Sequence, residues 1–141
     1  MKVWRVGHGT ALDQGFPTGP YTCRGLTAEQ AAHVWHMSTK HSYGTHPSPY
    51  ADPALKMIAN WERCGFDSAD ALEEWFSGWF DTLHEAGFRV WVYEVPEWAV
   101  RVGRRGQAVF DSGEAVEIES YEFRPTQLEL FPTEGENECF A

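Results

Sequence analysis

The chain has little cysteine: Cys23, Cys64 and Cys139 are odd in number and never spaced Cys-x-x-Cys. That argues against a disulfide framework and a four-cysteine zinc site, and it fits a reducing cytoplasm. No apolar run approaches the about 18 residues that cross a bilayer, so no membrane span or membrane partner is expected. The opening residues MKVWRV run straight into a strand-like alternation without a signal-peptide core. Internal repeats and low-complexity blocks are also lacking. Basic residues are scarce, with 11 Lys and Arg against 21 Asp and Glu for a net charge of −10. Residues 1–110 hold 12 acids and 10 bases, whereas residues 111–141 hold nine acids and only Arg124. The body is therefore nearly neutral and the excess charge is C-terminal. Broad phosphate-backbone binding, which needs Lys and Arg to displace counterions, is not expected; a local basic patch stays open.

What is abundant is aromatic: seven Trp, nine Phe and five Tyr, in a chain that is 43% hydrophobic. A chain of 141 residues suits one domain that buries about two-thirds of its unfolded surface. The least ambiguous stretch is Cys64–Pro96. Asp67 or Ser68 can cap a helix along which Leu72, Trp75, Phe76, Trp79, Phe80 and Leu83 recur at steps of three and four. Gly87 is a natural stop, and Phe88–Val95 reads as a buried strand closed by Pro96.

Around that unit, Lys2–Val6 alternates as a first strand, and Gly7–Tyr21 is a glycine- and proline-rich loop. Thr27-Ala-Glu-Gln30 matches a capping box and predicts a helix to about Met37. His41–Pro53 is irregular, and Ala54–Trp61 reads as a short helix. Trp98–Val102 and Gln107–Phe110 read as strands joined by Gly103-Arg-Arg-Gly106, with Glu114–Phe123 as a last strand. Helices early and strands late predict an α+β class: one domain over 1–123, with helices on a mainly antiparallel, split or curved sheet. Residues 124–141 read as an acidic, flexible tail.

Five constellations could carry chemistry. Arg5 and His8, on and just beyond the first strand, sit beside a loop ending Gly19-Pro-Tyr21. Arg can hold a phosphate through its planar fork and His can bond a ribose hydroxyl; plain strand and loop residues are the alternative. Ser68 opens the central helix, either as an anion-friendly helix start or as a simple cap. Gln107 and Glu119 are polar residues of late strands; alternation puts Glu117 and Glu119 on one side, which could be only a solvated face. His33, His36, His41 and His46 supply imidazoles of a metal-binding kind, but no spacing is diagnostic and metal is not favoured. Gln127-Leu128-Glu-Leu130-Phe131 resembles the peptide by which bacterial polymerases and repair proteins dock on the sliding clamp; an edge strand or packing on the body is the alternative.

Taken together, Arg5 and His8, the Gly-Phe-Asp-Ser68 turn, and the strands VWVYEV and GQAVF followed by an acidic strand resemble the ADP-ribosyltransferase-like fold. The resemblance implies an NAD-type nucleotide held by Arg5 or His8, a nicotinamide pocket lined by Tyr21 and Ser68, and Gln107 or Glu119 assisting ADP-ribose transfer to a macromolecular acceptor. The chain departs from that pattern: it has no Ser-Thr-Ser triplet, and Glu117-x-Glu119 lies inside a strand. It also looks like small uncharacterised bacteriophage proteins, which would place it in the host cytoplasm. As alternatives, it would be a non-enzymatic accessory protein that sequesters a nucleotide or inhibits a host protein, or a sliding-clamp adaptor acting through residues 127–131.

Overall fold

The alternation at the N-terminus produces β1 (Lys2–His8), which sends Val6 to one face and Val3 to the other. The computed structural model that shows this describes residues 1–41 and 46–123. The glycine-rich loop that follows holds a small hairpin, β2 (Leu12–Asp13) and β3 (Phe16–Pro17). Gln14 and Gly15 turn it with φ of 53° and 81°, the positive angles that a two-residue hairpin loop demands.

Helix α1 (Ala28–His41) starts on the capping box anticipated above: Thr27 N donates to Gln30 Oε1 (3.0 Å) and Gln30 N to Thr27 Oγ1 (3.1 Å). No helix forms over residues 54–61. Two 3₁₀ turns, Pro49–Ala51 and Pro53–Leu55, occupy the region instead, started by Ser48 and Asp52 side chains; Met57, at φ 57°, leaves the helical range. Strand β4 (Glu62–Phe66) then appears where none was anticipated. Its Gly65 is required by close approach, since a Cβ there would lie 2.8 Å from both Trp4 O and Val3 Cγ1.

The stripe from Leu72 to Leu83 does not make one helix. It breaks into α2 (Ala69–Trp75) and α3 (Phe80–Glu85), with Gly78 between them at φ 88°. Gly87, at φ 91°, ends α3 and feeds β5 (Phe88–Glu94). A 3₁₀ turn at Glu97–Ala99 shortens the next strand to β6 (Val100–Val102), and the Gly103–Gly106 turn joins it to β7 (Gln107–Asp111). Strand β8 (Val116–Glu122) closes the order.

The result is α+β: among the described residues, a six-stranded sheet in the order β6-β7-β4-β1-β5-β8, with every pairing antiparallel, and three helices. One core lies beneath the helices and includes Val34, Met37, Phe66, Leu72, Phe76, Leu83 and Phe88. A second, built from Val3, Tyr93, Val95 and Phe110, lies on the other face under Phe16. The pairing is uneven in a way that matters for function. β1 follows β5 along its whole length, yet it meets β4 at the single pair Trp4↔Phe66. Beyond that pair the sheet splits.

A register irregularity between Val92 and Tyr93 also corrects the reading of the acidic strand. Glu119 lies opposite Val92 and Glu117 opposite Tyr93. Consecutive strand residues point to opposite faces, so the two carboxylates do not share a side.

Candidate functional site

The split between β1 and β4 opens into a cleft of about 590 Å³. Strand alternation delivers Arg5 to it. Arg5 Nη1 donates to Cys64 O across the split (2.7 Å), and Nη2 donates to Pro17 O (3.1 Å). The guanidinium carbon lies 5.6 Å from the centre of the Phe16 ring. Arg5 is only 8% exposed, and its Nε has no hydrogen-bond partner. Among the described residues no carboxylate comes within ion-pair distance of it. Burial holds its pKa below the ordinary value, with the Cys64 thiol and the Tyr93 hydroxyl acting the other way. An arginine stays charged in proteins, so this is a desolvated cation with no ion-pair partner among the described residues, the Asp13 carboxylate acting on it only from beyond that distance. Thr18, 2% exposed and on the same cleft, has an Oγ1 that is also unpartnered. Gly19 is pressed against the guanidinium: a Cβ there would sit 3.3 Å from Arg5 Nη2.

The opposite wall is aromatic. Trp75 Nε1 donates to Tyr21 Oη (2.8 Å), so Tyr21 directs its one proton to His41 Nδ1 (2.7 Å). His41 therefore carries its own proton on Nε2. The Tyr21 ring stacks on Phe76 at 6.2 Å and 26°. His41 and His46 lie face to face at 3.8 Å, and His46 Nε2 donates to Trp75 O (2.9 Å). Burial first, then the neighbouring His46 and Arg105, lower the His41 pKa to about 4. Burial likewise lowers that of His46, against the pull of the Trp75 carbonyl. Burial raises the Tyr21 hydroxyl well above its ordinary value and also raises the Cys64 thiol, so neither is an activated nucleophile. Gln107 closes the floor: it is 5% exposed and its Nε2 donates to Pro47 O (3.1 Å).

The structure thus brings Arg5, Tyr21 and Gln107 to one cleft, together with His41 and His46 of the histidine set, and leaves His8, Ser68 and Glu119 elsewhere. His8 is a latch. Its Nδ1 accepts from Thr10 N (3.1 Å) and Ala11 N (2.9 Å), and its Nε2 donates to Ala86 O (3.0 Å) above the edge of Phe88. Ser68 acts as the cap of α2, accepting from Ala71 N at 3.0 Å. Glu119 stands on the edge strand β8, two strands from the split. His33 and His36 lie outside the cleft, and the described residues contain no group of three or more metal-ligating side chains. Gln127, Leu128, Leu130 and Phe131 lie outside the described residues.

Sequence reasoning missed the wall. Trp75 and Phe76 read as core on their helical spacing, and His41 and His46 as two of four imidazoles without a diagnostic metal spacing. The one available signal was the cluster of prolines and histidines over 41–53, which marks a loop with polar rings to place. No helix among the described residues is long and apolar enough to cross a membrane. The search of curated proteins and the search of solved structures each found no match. The family described as Bacteriophage T4 Y00F protein matches residues 1–124, which include every strand and helix described above, and the chain belongs to that family.

Proposed function

We propose that the protein binds an NAD-type nucleotide in the cleft between β1 and β4 and acts as an ADP-ribosyltransferase-type protein. The observation that carries the reading is Arg5. A buried cation with no ion-pair partner is costly to fold around unless a ligand supplies the opposite charge. A phosphate does so, and the planar fork suits it. Tyr21, 43% exposed and backed by the buried rings of Phe76 and Trp75, offers flat apolar area for a base or a nicotinamide. A cleft of about 590 Å³ is within the range of small-molecule sites.

NAD supplies a glycosidic bond that breaks with its electron pair leaving on the nicotinamide nitrogen, while an acceptor nucleophile bonds the ribose carbon and releases its proton. On the protein side, Arg5 anchors the anion, the aromatic wall orients the ring and excludes water, and Gln107 offers an amide dipole to developing positive charge. Glu119 takes no part in this arrangement, because its strand lies at the sheet edge.

That same observation favours one second reading, a non-enzymatic protein that sequesters the nucleotide. Two carboxylates line the cleft: Glu62 is engaged by Arg101 Nη2 (2.8 Å) and Ala59 N (2.9 Å), and Asp13 faces Arg24 Nη1 at 3.9 Å. Calorimetry with a panel of NAD, ADP-ribose, ATP and nicotinamide tests binding; incubation of labelled NAD with host lysate tests transfer. Binding with label transfer supports the transferase, and binding without transfer or hydrolysis leaves sequestration. Absence of binding across the panel overturns both.

A further inference from the structure

The cleft is lined by a second arginine. Alternation along β1 puts Arg5 on the side of Val3, a member of the second core, and β4 pairs Arg63 with Phe110 of that same core. Both side chains therefore leave one face of the sheet, from strands on opposite sides of the split. They meet at Phe16, whose ring centre lies 5.6 Å from the guanidinium carbon of Arg5 and 5.8 Å from that of Arg63. Each is held by backbone carbonyls alone. Arg5 donates to Cys64 O and Pro17 O, and Arg63 donates from Nη1 to Asn60 O (2.8 Å) and Glu62 O (3.0 Å). Neither forms an ion pair among the described residues, where Nε of Arg5 and both Nε and Nη2 of Arg63 find no partner. Thr18, with its buried and unpartnered Oγ1, sits between Pro17 and Gly19, the two residues against the Arg5 guanidinium.

The charged residues lining the cleft are Arg5, Arg63, Asp13 and Glu62. Glu62 is taken by Arg101, and Asp13 acts on Arg5 from beyond ion-pair distance while facing Arg24 at 3.9 Å. With Arg101 and Arg24 set against those two carboxylates, Arg5 and Arg63 are left over. The Gly103–Gly106 turn does not alter the count. There Arg104 is paired with Asp52, and Arg105 shares the turn with Asp67, whose Oδ1 stands 2.7 Å from where a Gly106 Cβ would lie. Asp111 follows Phe110 on β7 and so faces the other side of the sheet from Arg63, and Glu114 lies in the turn beyond it, outside the cleft.

We propose that Arg5 and Arg63 together hold a diphosphate, so that the cleft selects ligands with two linked phosphate groups over ligands with one. This rests on the nucleotide-binding reading of the cleft and narrows it. Two like charges held at one ring repel, and Arg63 acts on Arg5 in that sense. An anion between them turns that repulsion into attraction on both sides. What selects linked phosphates is the anchoring. Arg5 is held from β1 by Cys64 O and Pro17 O, and Arg63 from β4 by Asn60 O and Glu62 O. Each keeps N–H groups for a phosphate of its own, and linked phosphates bring oxygens and negative charge at two centres. A single phosphate meets one guanidinium well and leaves the other uncompensated.

The test is calorimetry of the full chain with inorganic phosphate, inorganic pyrophosphate, AMP, ADP and NAD. Pyrophosphate is expected to bind at least about tenfold more tightly than phosphate, and ADP at least about tenfold more tightly than AMP, the worth of one further charge-assisted contact. Arg63→Gln is expected to cost about tenfold for ADP and NAD but less than about threefold for AMP, so the preference for ADP falls toward parity. A residue that served only the fold would weaken all three nucleotides alike. Arg63 is partly exposed, and matching thermal melts confirm that the variant is folded. AMP bound as tightly as ADP, phosphate as tightly as pyrophosphate, or an ADP preference that survives Arg63→Gln overturns the proposal, and NAD bound in the same series leaves the cleft reading standing. Pyrophosphate bound without any nucleotide supports the diphosphate site and removes the nucleotide reading. Binding of none of the five probes removes both.

Discussion

Acid should weaken this fold through one residue more than through its other histidines. In the folded chain His41 Nδ1 accepts the Tyr21 proton at 2.7 Å, while Trp75 Nε1 holds the same hydroxyl at 2.8 Å. A proton added to Nδ1 ends the Tyr21–His41 bond and places a cation against His46, 3.8 Å away, with Arg105 also nearby. The folded pKa, about 4, lies below the ordinary 6.5. The unfolded chain therefore binds the extra proton first as pH falls. The contribution is fully present above pH 6.5, shrinks from there, and is lost once pH falls through about 4. At about 1.4 kcal/mol per pH unit, the interval of about 2.5 units sets a ceiling near 3.4 kcal/mol. Solvent at the open side of the cleft screens part of this, so about 1–2.5 kcal/mol should be lost between pH 7.5 and 4.5. Urea unfolding followed by tryptophan fluorescence, for the natural chain and His41→Gln at pH 7.5, 6.5, 5.5 and 4.5, reads it directly. Glutamine can still accept the Tyr21 proton but does not titrate, and the carboxylates common to both chains cancel. The stability difference between the two should narrow toward acid by that amount. Parallel curves across the range would refute the assignment of the proton acceptor.

Three further outcomes follow from the geometry. Arg5→Met should cost at least a hundredfold in nucleotide affinity by calorimetry while changing folding stability by less than about 2 kcal/mol. Relief from burying the charge offsets the lost bonds to Cys64 O and Pro17 O; a large stability loss would mean that the cation is already compensated within the fold. Gly65→Ala should destabilise by about 1–3 kcal/mol in chemical unfolding, because its Cβ meets Trp4 O and Val3 Cγ1 at 2.8 Å in the one place where β1 and β4 pair. Ser68→Ala should cost about 1 kcal/mol for the lost cap of α2 and leave nucleotide binding unchanged. Lost binding at normal stability would return Ser68 to the site.

Local chemistry made much of the fold legible. The Thr27–Gln30 box, the stop at Gly87 and the run of Phe88–Glu94 are decided by residues that touch their sequence neighbours, and the structure has all three. Where the readings differ, a longer-range or backbone effect intervenes. The stripe from Leu72 to Leu83 has helical spacing throughout, but Gly78 takes φ 88° and splits it. Glu62–Phe66 has no alternation of its own and becomes a strand because β7 pairs with its whole length. A bulge, invisible in the alternation, separates Glu117 from Glu119.

The candidate site divides along the same line. That Arg5, Tyr21 and Gln107 are polar residues able to hold a ligand is a property of the chain, readable from residue type and position. Whether their side chains stay available is not. His8 is spent on Thr10, Ala11 and Ala86 and Ser68 on Ala71, partners supplied by how the backbone arrives there. The cleft itself exists because β1 and β4 meet only at Trp4 and Phe66 and then diverge. By itself the sequence determined the locally encoded elements, the α+β class and the kinds of group on offer. Only the tertiary structure decided which groups converge, because strand pairing between residues some sixty positions apart leaves no local signature.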